Sequence, residues 1–154
     1  MATAIDRLQS VDAILGLYPE ASPAQRRRIR RDVESDLQEA EAGRRLVLGA
    51  WQADWVVGTV QLVWSNAELA EGRQTALIHH ARVHPDYRRR GIGTALMDIA
   101  EAEARNQGFA VLTLGVEPSN EAAIRFYTRR GFERTHKYSG ETGELLQAMK
   151  KPIA

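Results

Sequence analysis

Hydrophobic residues recur along the chain with two periods, one typical of helices and one typical of strands. Near the N-terminus the spacing is roughly helical, and Ser22-Pro23 has the residue types of a helix N-cap followed by a proline at the first helical position. Further along, runs rich in Val, Leu, Trp and Thr between polar turns predict strands. The predicted elements are, in order, helix Asp6–Tyr18, helix Pro23–Ala42, strands Leu46–Trp51, Trp55–Trp64 and Thr75–Val83, helix Gly91–Asn106, strand Phe109–Val116, helix Asn120–Arg130, and strands Phe132–Tyr138 and Leu145–Lys150.

This order of elements predicts one α/β domain over residues 1–154, with a mixed central sheet and helices on both of its faces. Gly43, Gly108 and Gly131 closely follow predicted helices, as is typical of helix C-termini. A polar loop is expected at Asn66–Arg73, between the second and third strands.

Charge and composition narrow the range of functions. Arginine and lysine together number 21 and aspartate and glutamate 20, so the formal net charge is +1. This balance gives no overall field that would hold nucleic acid or an anionic membrane, and any anion site must be local. The absence of cysteine excludes a thiolate nucleophile and a cysteine zinc site, and the four histidines lack the HExxH spacing, so no metal is expected. Because no apolar run approaches the roughly 20 residues of a spanning helix, a soluble, cytoplasmic protein is expected.

The segment most informative about chemistry leaves one predicted strand and opens the next helix. Gly91 and Gly93 would let a ligand approach the backbone closely, and the free N–H groups of the helix's first turn favour an anion. Three consecutive arginines add positive charge. The spacing matches neither the GxGxxG dinucleotide fingerprint nor a P-loop, but it predicts a diphosphate site; an ordinary basic turn is the alternative. The segment runs Val83-His84-Pro85-Asp86-Tyr87-Arg88-Arg89-Arg90-Gly91-Ile92-Gly93-Thr94.

In its context this segment resembles the acetyl-coenzyme A signature of the GNAT superfamily of N-acetyltransferases, Gln/Arg-x-x-Gly-x-Gly/Ala, with a Val-His-Pro entry from the preceding strand. A second segment, Asn120–Glu133, resembles the family's later helix and the Gly-Phe opening of the next strand. The resemblance covers about Thr75–Glu133, and the earlier half matches only as helices followed by a hairpin. It implies a GNAT-like fold with a mixed, mostly antiparallel sheet, although no clear first strand is evident near Ile5, where the family usually has one.

The resemblance also implies that acetyl-coenzyme A (acetyl-CoA) is a co-substrate, with roles for particular residues. Backbone N–H groups over Arg89–Thr94 would bind the pyrophosphate, and the backbone at Arg82 and Val83 would pair with the pantetheine arm. The N–H of Val83 would also polarise the thioester carbonyl, and Tyr127 would protonate the leaving thiolate, a core-packing aromatic being the alternative. The residues implied to bind the cofactor are Arg82, Val83, Arg88, Arg89, Arg90, Gly91, Ile92, Gly93, Thr94, Asn120 and Tyr127.

The general base stays open between His79, His80, Glu117 and water. A histidine has a suitable unperturbed pKa, whereas a hydrogen-bonded structural histidine is the alternative for either ring. Regular strand alternation would place His79 on the same face as Val83 and His80 on the opposite face, unless a bulge shifts the phase. His79 is therefore assigned to the catalytic residues together with Tyr127 and Val83.

Three functions of different classes follow from these features. The first is an N-acetyltransferase that moves the acetyl group of acetyl-CoA to a primary amine of a small molecule or peptide, by direct transfer because no cysteine could hold an acetyl group. The second is a non-catalytic acetyl-CoA sensor. The third is a nucleic-acid or protein binding module that uses Arg26–Arg31 and Arg88–Arg90, which the near-zero net charge disfavours. Since dimers are common in the superfamily, a homodimer is a further expectation.

Overall fold

The computed structural model describes residues 3–64 and 75–154. The loop predicted at Asn66–Arg73 lies outside the described residues. A short 3₁₀ turn, Pro85–Tyr87, connects the fourth strand to the third helix. The strands and helices are β1 (Ala4–Arg7), α1 (Val11–Leu15), α2 (Pro23–Glu41), β2 (Arg45–Gln52), β3 (Trp55–Val63), β4 (Thr75–Val83), α3 (Ile92–Asn106), β5 (Val111–Val116), α4 (Glu121–Arg129), β6 (Glu133–Ser139) and β7 (Leu145–Pro152).

The strands form one sheet in the order β1-β2-β3-β4-β5-β7-β6. Among the described residues, β4 and β5 form the one parallel pair, and the other neighbouring strands are antiparallel. Helices α1 and α2 pack on one face, whereas α3 and α4 pack on the other. These features confirm the mixed, mostly antiparallel sheet with helices on both faces.

Apolar clusters lie on both faces of the sheet. On one face, Ile14 of α1 and Val33 of α2 pack with Val47 of β2. On the other, α3 and α4 cover the larger cluster, where Ala100 and Ala104 are fully buried and allow α3 to approach the strands closely. Since successive side chains of a strand point to opposite faces, β2 and β3 contribute to both clusters.

The N-terminal segment differs from the helix predicted over Asp6–Tyr18. Residues Ala4–Arg7 form the edge strand β1, which pairs with β2 throughout its length, and α1 is confined to Val11–Leu15. The prediction of a helix from Asp6 was wrong, and a strand is present at Ile5, where none was evident in the sequence. The cause is that backbone hydrogen bonds to β2 hold β1, whose own side chains are largely exposed and show no strand-like pattern.

The other helices begin and end close to the predicted positions, because local capping sets them. At the start of α2, the Ser22 Oγ accepts a hydrogen bond from the Gln25 N–H at 3.2 Å, while the Gln25 Oε1 accepts one from the Ser22 N–H at 2.8 Å. This reciprocal pair is a capping box. Gly91 precedes α3 at φ +80°, a left-handed conformation that favours glycine. The predicted helices α2, α3 and α4 are therefore confirmed.

Strands β4 and β5 are paired over only part of their length. Their register joins Thr75–Leu77 to Val111–Thr113, and beyond this point β5 continues to pair with β7 while the second half of β4 stays with β3. The sheet consequently opens between the two strands. Within residues 3–64 and 75–154, no helix is long and apolar enough to cross a membrane.

Candidate active site

Two cavities meet where β4 and β5 separate. The first, here called the cleft, has a volume of about 540 Å³ and lies between β4, α3 and α4. The second, the side cavity, has a volume of about 570 Å³ and extends from β5 to the turn between β6 and β7. Residues that line both cavities mark the junction between them. They are His80, Ala81, Asn120, Ala123 and Tyr127.

The cleft brings together about half of the residues implied to bind the cofactor. Those in its wall are Arg82, Val83, Arg88, Gly93, Asn120 and Tyr127. The others, Arg89, Arg90, Gly91, Ile92 and Thr94, lie on the turn before α3 and in its first turn, outside the cleft wall. The Ile92 side chain is buried in the core, so this residue can offer a ligand only its backbone.

The end of β4 presents backbone groups to the cleft. His84 donates its N–H to the Val57 carbonyl across the ladder at 2.8 Å, so strand alternation turns the N–H and C=O of Val83 away from β3. The Val83 carbonyl accepts a hydrogen bond from Arg88 Nε at 3.2 Å, which is consistent with that direction. The side chain of Arg82 points the other way, where its Nε donates to the Leu17 carbonyl at 2.8 Å.

The N-terminus of α3 forms one end of the cleft. The first hydrogen bond within α3 runs from the Ala95 N–H to the Gly91 carbonyl at 3.0 Å, so the N–H groups of residues 92–94 have no acceptor inside the helix. Arg89 and Gly91 both have positive φ, 63° and 80°, which gives the preceding turn its sharp course. A Cβ at Gly93 would make ordinary van der Waals contacts with Phe126 at 3.7 Å and Val83 at 3.8 Å, and would occupy space at this end of the cleft.

Helix α4 places three side chains on one face toward the junction, at positions 120, 123 and 127. The Asn120 Oδ1 accepts a hydrogen bond from the Ala123 N–H at 3.1 Å and so caps α4, which leaves the amide NH₂ as the donor group. Tyr127 is buried and packs edge-on against Phe126 and Phe132, with ring centroids 5.2 and 5.5 Å away. Burial raises the pKa of Tyr127, against the lowering effect of nearby Arg130, so the phenol keeps its proton at neutral pH.

The two histidines of β4 do not follow the regular alternation of side chains between the two faces of a strand. A bulge interrupts the pairing of β3 and β4, with Thr59 opposite Arg82 but Gln61 opposite His79, and His80 in the bulge has φ +49°. His79 therefore shares the face of Gln61 and Arg82, toward α2. The bulge that the sequence left open is present, and its extra residue reverses the phase, so His79 does not share the face of Val83.

The residues considered as the general base line different cavities. His79 and Glu117 line only the side cavity, whereas His80 lines both cavities. His84 belongs to the 3₁₀ turn, where its Nδ1 accepts a hydrogen bond from the Asp86 N–H at 3.1 Å. The site residue that the sequence did not indicate is Asp36 of α2, which is buried beside His80. Its position in the middle of a charged helix gave no signal that it would be buried.

These groups suit the two ends of acetyl-CoA. The open N–H groups of the first turn of α3 and Arg88–Arg90 provide donors and positive charge for phosphates, which helix N-termini bind well. The exposed backbone of Val83 would provide a donor for a carbonyl at the other end of the cleft. Within the described residues, no group of three His, Cys, Asp or Glu side chains is arranged to hold a metal ion.

The fold is shared with one family of known proteins. The model of the Acetyltransferase (GNAT) family matches residues 11–132, and the chain belongs to this family.

Individual relatives agree with the family but match a limited region. The chain is 44% identical over 70 residues to an uncharacterized N-acetyltransferase of Methanocaldococcus jannaschii, covering 46% of this chain and 31% of the relative. It is 42% identical over 57 residues to the [ribosomal protein bS18]-alanine N-acetyltransferase of Escherichia coli, covering 37% of this chain and 38% of the relative. The matches thus span less than half of either relative.

Solved structures match over nearly the whole chain. The crystal structure of the Escherichia coli ribosomal-protein alanine N-acetyltransferase has a TM-score of 0.74 at 25% identity and covers 99% of this chain and 95% of that one. An N-acetyltransferase of Thermoplasma acidophilum, solved in complex with coenzyme A, has a TM-score of 0.75 at 18% identity and covers 99% of both chains. The latter similarity bears on the fold alone.

Proposed function

We propose that this protein is an N-acetyltransferase that transfers the acetyl group of acetyl-CoA directly to a primary amine of a small molecule or peptide. The observation that supports this most strongly is the opening between β4 and β5, which joins the first turn of α3 to the buried hydroxyl of Tyr127. Direct transfer within a ternary complex is favoured because the chain has no cysteine that could form an acetyl-enzyme thioester.

Binding of the acyl donor depends on backbone and arginine groups. The N–H groups over Arg89–Thr94 and the guanidinium groups of Arg88–Arg90 hold the pyrophosphate. The backbone at Arg82 and Val83 pairs with the pantetheine arm as an added strand would, and the amide of Asn120 donates to the same arm. When bound, acetyl-CoA supplies the activated acyl group, and the protein supplies position and electrostatics.

Transfer depends on residues near the junction of the two cavities. The N–H of Val83 stabilises negative charge on the carbonyl oxygen, and the Tyr127 hydroxyl donates a proton to the departing sulfur. His79 borders the side cavity, and its assignment as the base stays a prediction that the contacts of its ring do not favour.

The side cavity is the proposed acceptor site. It adjoins Tyr127 at the junction and opens along β5 past Glu117. The similarity to an enzyme that acetylates the alanine of ribosomal protein bS18 supports a peptide amine among the acceptors. The charge distribution gives no support to a nucleic-acid partner.

Calorimetric titration with acetyl-CoA tests the donor site, with Gly91→Asp and Gly91→Asn as a matched pair. Asp and Asn have nearly the same size and both tolerate the left-handed φ of +80° at this position, so the two variants differ mainly in charge. We expect Gly91→Asp to bind acetyl-CoA at least about tenfold more weakly than Gly91→Asn, since a carboxylate would repel the pyrophosphate. Equal binding by both variants, or no binding to folded wild type, would contradict the proposed donor site.

Release of free thiol in the presence of an amine then separates an enzyme from a sensor. The chain contributes no thiol background because it lacks cysteine. An enzyme releases coenzyme A thiol in proportion to acetylated amine, whereas a sensor binds acetyl-CoA without amine-dependent release.

A further inference from the structure

The bulge in β4 gives His80 a position that regular strand geometry would deny it. His80 has φ +49°, a left-handed conformation uncommon for a residue with a side chain, although histidine adopts it more readily than most. With this backbone His80 lies at the junction of the cleft and the side cavity, where it lines both of them, as Tyr127 does. Backbone strain of this kind is often found where a side chain is held for function.

A buried carboxylate lies behind the His80 ring. Asp36 reaches the sheet from α2 and is only 8% exposed. Its Oδ2 accepts a hydrogen bond from Gln61 Nε2 at 3.0 Å, and its Oδ1 lies 3.3 Å from Arg45 Nη1. The Nε2 of His80 lies 3.7 Å from the same Oδ2. This distance exceeds a hydrogen bond, but catalytic hydrogen bonds in ligand-free sites are often long and shorten when substrate binds.

The position of Asp36 determines which nitrogen of His80 is available. A carboxylate facing Nε2 favours the neutral tautomer with its proton on Nε2, so Nδ1 becomes the proton acceptor of the ring. The adjacent His79 has the same tautomer but no available acceptor nitrogen, because Arg45 Nη1 lies 3.4 Å from its Nδ1 and arginine can only donate. Its Nδ1 is therefore occupied and its Nε2 holds the proton.

We propose that His80, positioned by Asp36, accepts the proton of the acceptor amine during acetyl transfer. This inference rests on the proposed acetyltransferase function. The amine nitrogen bonds to the acyl carbon and its N–H proton passes to His80 Nδ1, directly or through one water. The C–S bond breaks, the sulfur leaves with the bonding electron pair, and it takes the hydroxyl proton of Tyr127. His80 then releases its proton to solvent and Tyr127 regains one, so the products are an amide and a free thiol.

The charges around His80 are compatible with this role. Burial lowers the pKa of His80, and the carboxylate of Asp36 opposes that effect. The ring is therefore neutral and able to accept a proton at neutral pH, and the nitrogen of a tetrahedral adduct is acidic enough to give one up. The charged and titratable groups that face it are Asp32 and Asp36 of α2, Arg45 of β2, His79 of β4, and Glu141 between β6 and β7.

Long-range ¹H–¹⁵N NMR of the imidazole rings tests the inference without an acceptor. In the wild type, the His80 ring is expected to be protonated at Nε2 and unprotonated at Nδ1 near neutral pH. The His80 signals are identified as those that disappear in His80→Gln. Asp36→Asn should shift the balance between the two neutral tautomers of His80. Glu34→Gln, which changes an exposed carboxylate of the same helix that is not among the groups facing the ring, should not. A proton on Nδ1 in the wild type, or a balance insensitive to Asp36→Asn, would overturn the positioning role.

Steady-state kinetics test the catalytic role of His80. The three probe acceptors are a peptide with an N-terminal alanine, spermidine and phenethylamine. For any probe that the wild type acetylates, His80→Gln should lower kcat by about 100-fold with little change in the KM for acetyl-CoA. Asp36→Asn should lower kcat by about tenfold and displace the acid limb of the pH profile, with Asp36→Glu restoring part of the rate. The control His136→Gln, at an exposed histidine of β6 that lines neither the cleft nor the side cavity, should stay within about threefold of wild type.

The two proposals fail separately. If the wild type binds acetyl-CoA but acetylates none of the three probes, the NMR measurement of the tautomer still tests whether Asp36 orients the His80 ring. If it acetylates a probe and His80→Gln keeps the wild-type kcat and pH profile, the base assignment is wrong while the acetyltransferase proposal stands.

Discussion

Arg45 Nη1 of β2 lies 3.4 Å from the Nδ1 of His79 on β4. The same guanidinium donates a hydrogen bond to Gln61 Oε1 at 2.6 Å and forms an ion pair with Asp36 at 3.3 Å. These contacts fix its position in the wall of the side cavity. Part of the His79 ring is open to that cavity, but the packed side chains around it, together with His80 and Arg45, lower its pKa to about 3. His79 is thus a neutral hydrogen-bond partner of an arginine at physiological pH.

This low pKa predicts a stability change with pH. Because the pKa of His79 is about 3 when folded but close to 6.5 when unfolded, only the unfolded chain takes up the proton as the pH falls between these values. Stability should therefore decrease from about pH 6.5 toward pH 4, and His79→Gln should reduce that decrease. Thermal unfolding at several pH values measures it. His136→Gln, a change at an exposed histidine of β6, is the control and should retain the wild-type slope; an unchanged slope in His79→Gln would contradict the prediction.

Replacement of Tyr127 by Phe separates its hydroxyl from its ring. The ring contacts with Phe126 and Phe132 remain, so Tm should change little. The loss of the proposed proton donor should lower kcat by about 100-fold while acetyl-CoA binding stays close to wild type. Steady-state kinetics and calorimetry measure the two effects. If Tyr127→Phe turns over at the wild-type rate, the thiolate takes its proton from another group.

Glu101 of α3 joins three elements through a buried carboxylate. It is 5% exposed, and its Oε1 lies 3.1 Å from Arg130 at the C-terminal end of α4 and 2.9 Å from Lys151 of β7. Glu101→Gln would leave both cations without this charge and should lower the free energy of unfolding by about 2–4 kcal/mol. Denaturant titration measures the change. Asp98→Asn removes an exposed partner of Arg130 and should cost less than about 1 kcal/mol; an equal loss in both variants would contradict the role of burial.

Gly115 of β5 leaves room for the side chain of Tyr138. A Cβ at position 115 would collide with the Tyr138 hydroxyl and lie 3.0 Å from its Cζ. Gly115→Ala should therefore lower the free energy of unfolding by about 1–3 kcal/mol and raise the acceptor KM, because both residues line the side cavity. Denaturant titration and kinetics test this. The double variant with Tyr138→Phe should recover part of the stability, and no recovery would show that the ring is not the obstacle.

Much of the fold could be predicted from the sequence. Helices α2, α3 and α4 are defined by local signals, such as the Ser22-Pro23 start and the glycines that follow, and β4 was predicted with its observed bounds. Strand β1 was missed because its pairing with β2 determines its conformation. Periodicity in one segment contains no information about a hydrogen-bonding partner some forty residues away.

By itself the sequence determined the family, the arginine- and glycine-rich turn before α3, and the placement of Asn120 and Tyr127 on one helix. These are local patterns, in which the chemistry follows from neighbouring residues. Only the tertiary structure decided the phase of β4, the separation of β4 from β5, and the meeting of Asp36 with His80. A single inserted residue in the β3–β4 ladder reverses the face of each side chain beyond it, and that insertion depends on contacts between strands and with α2.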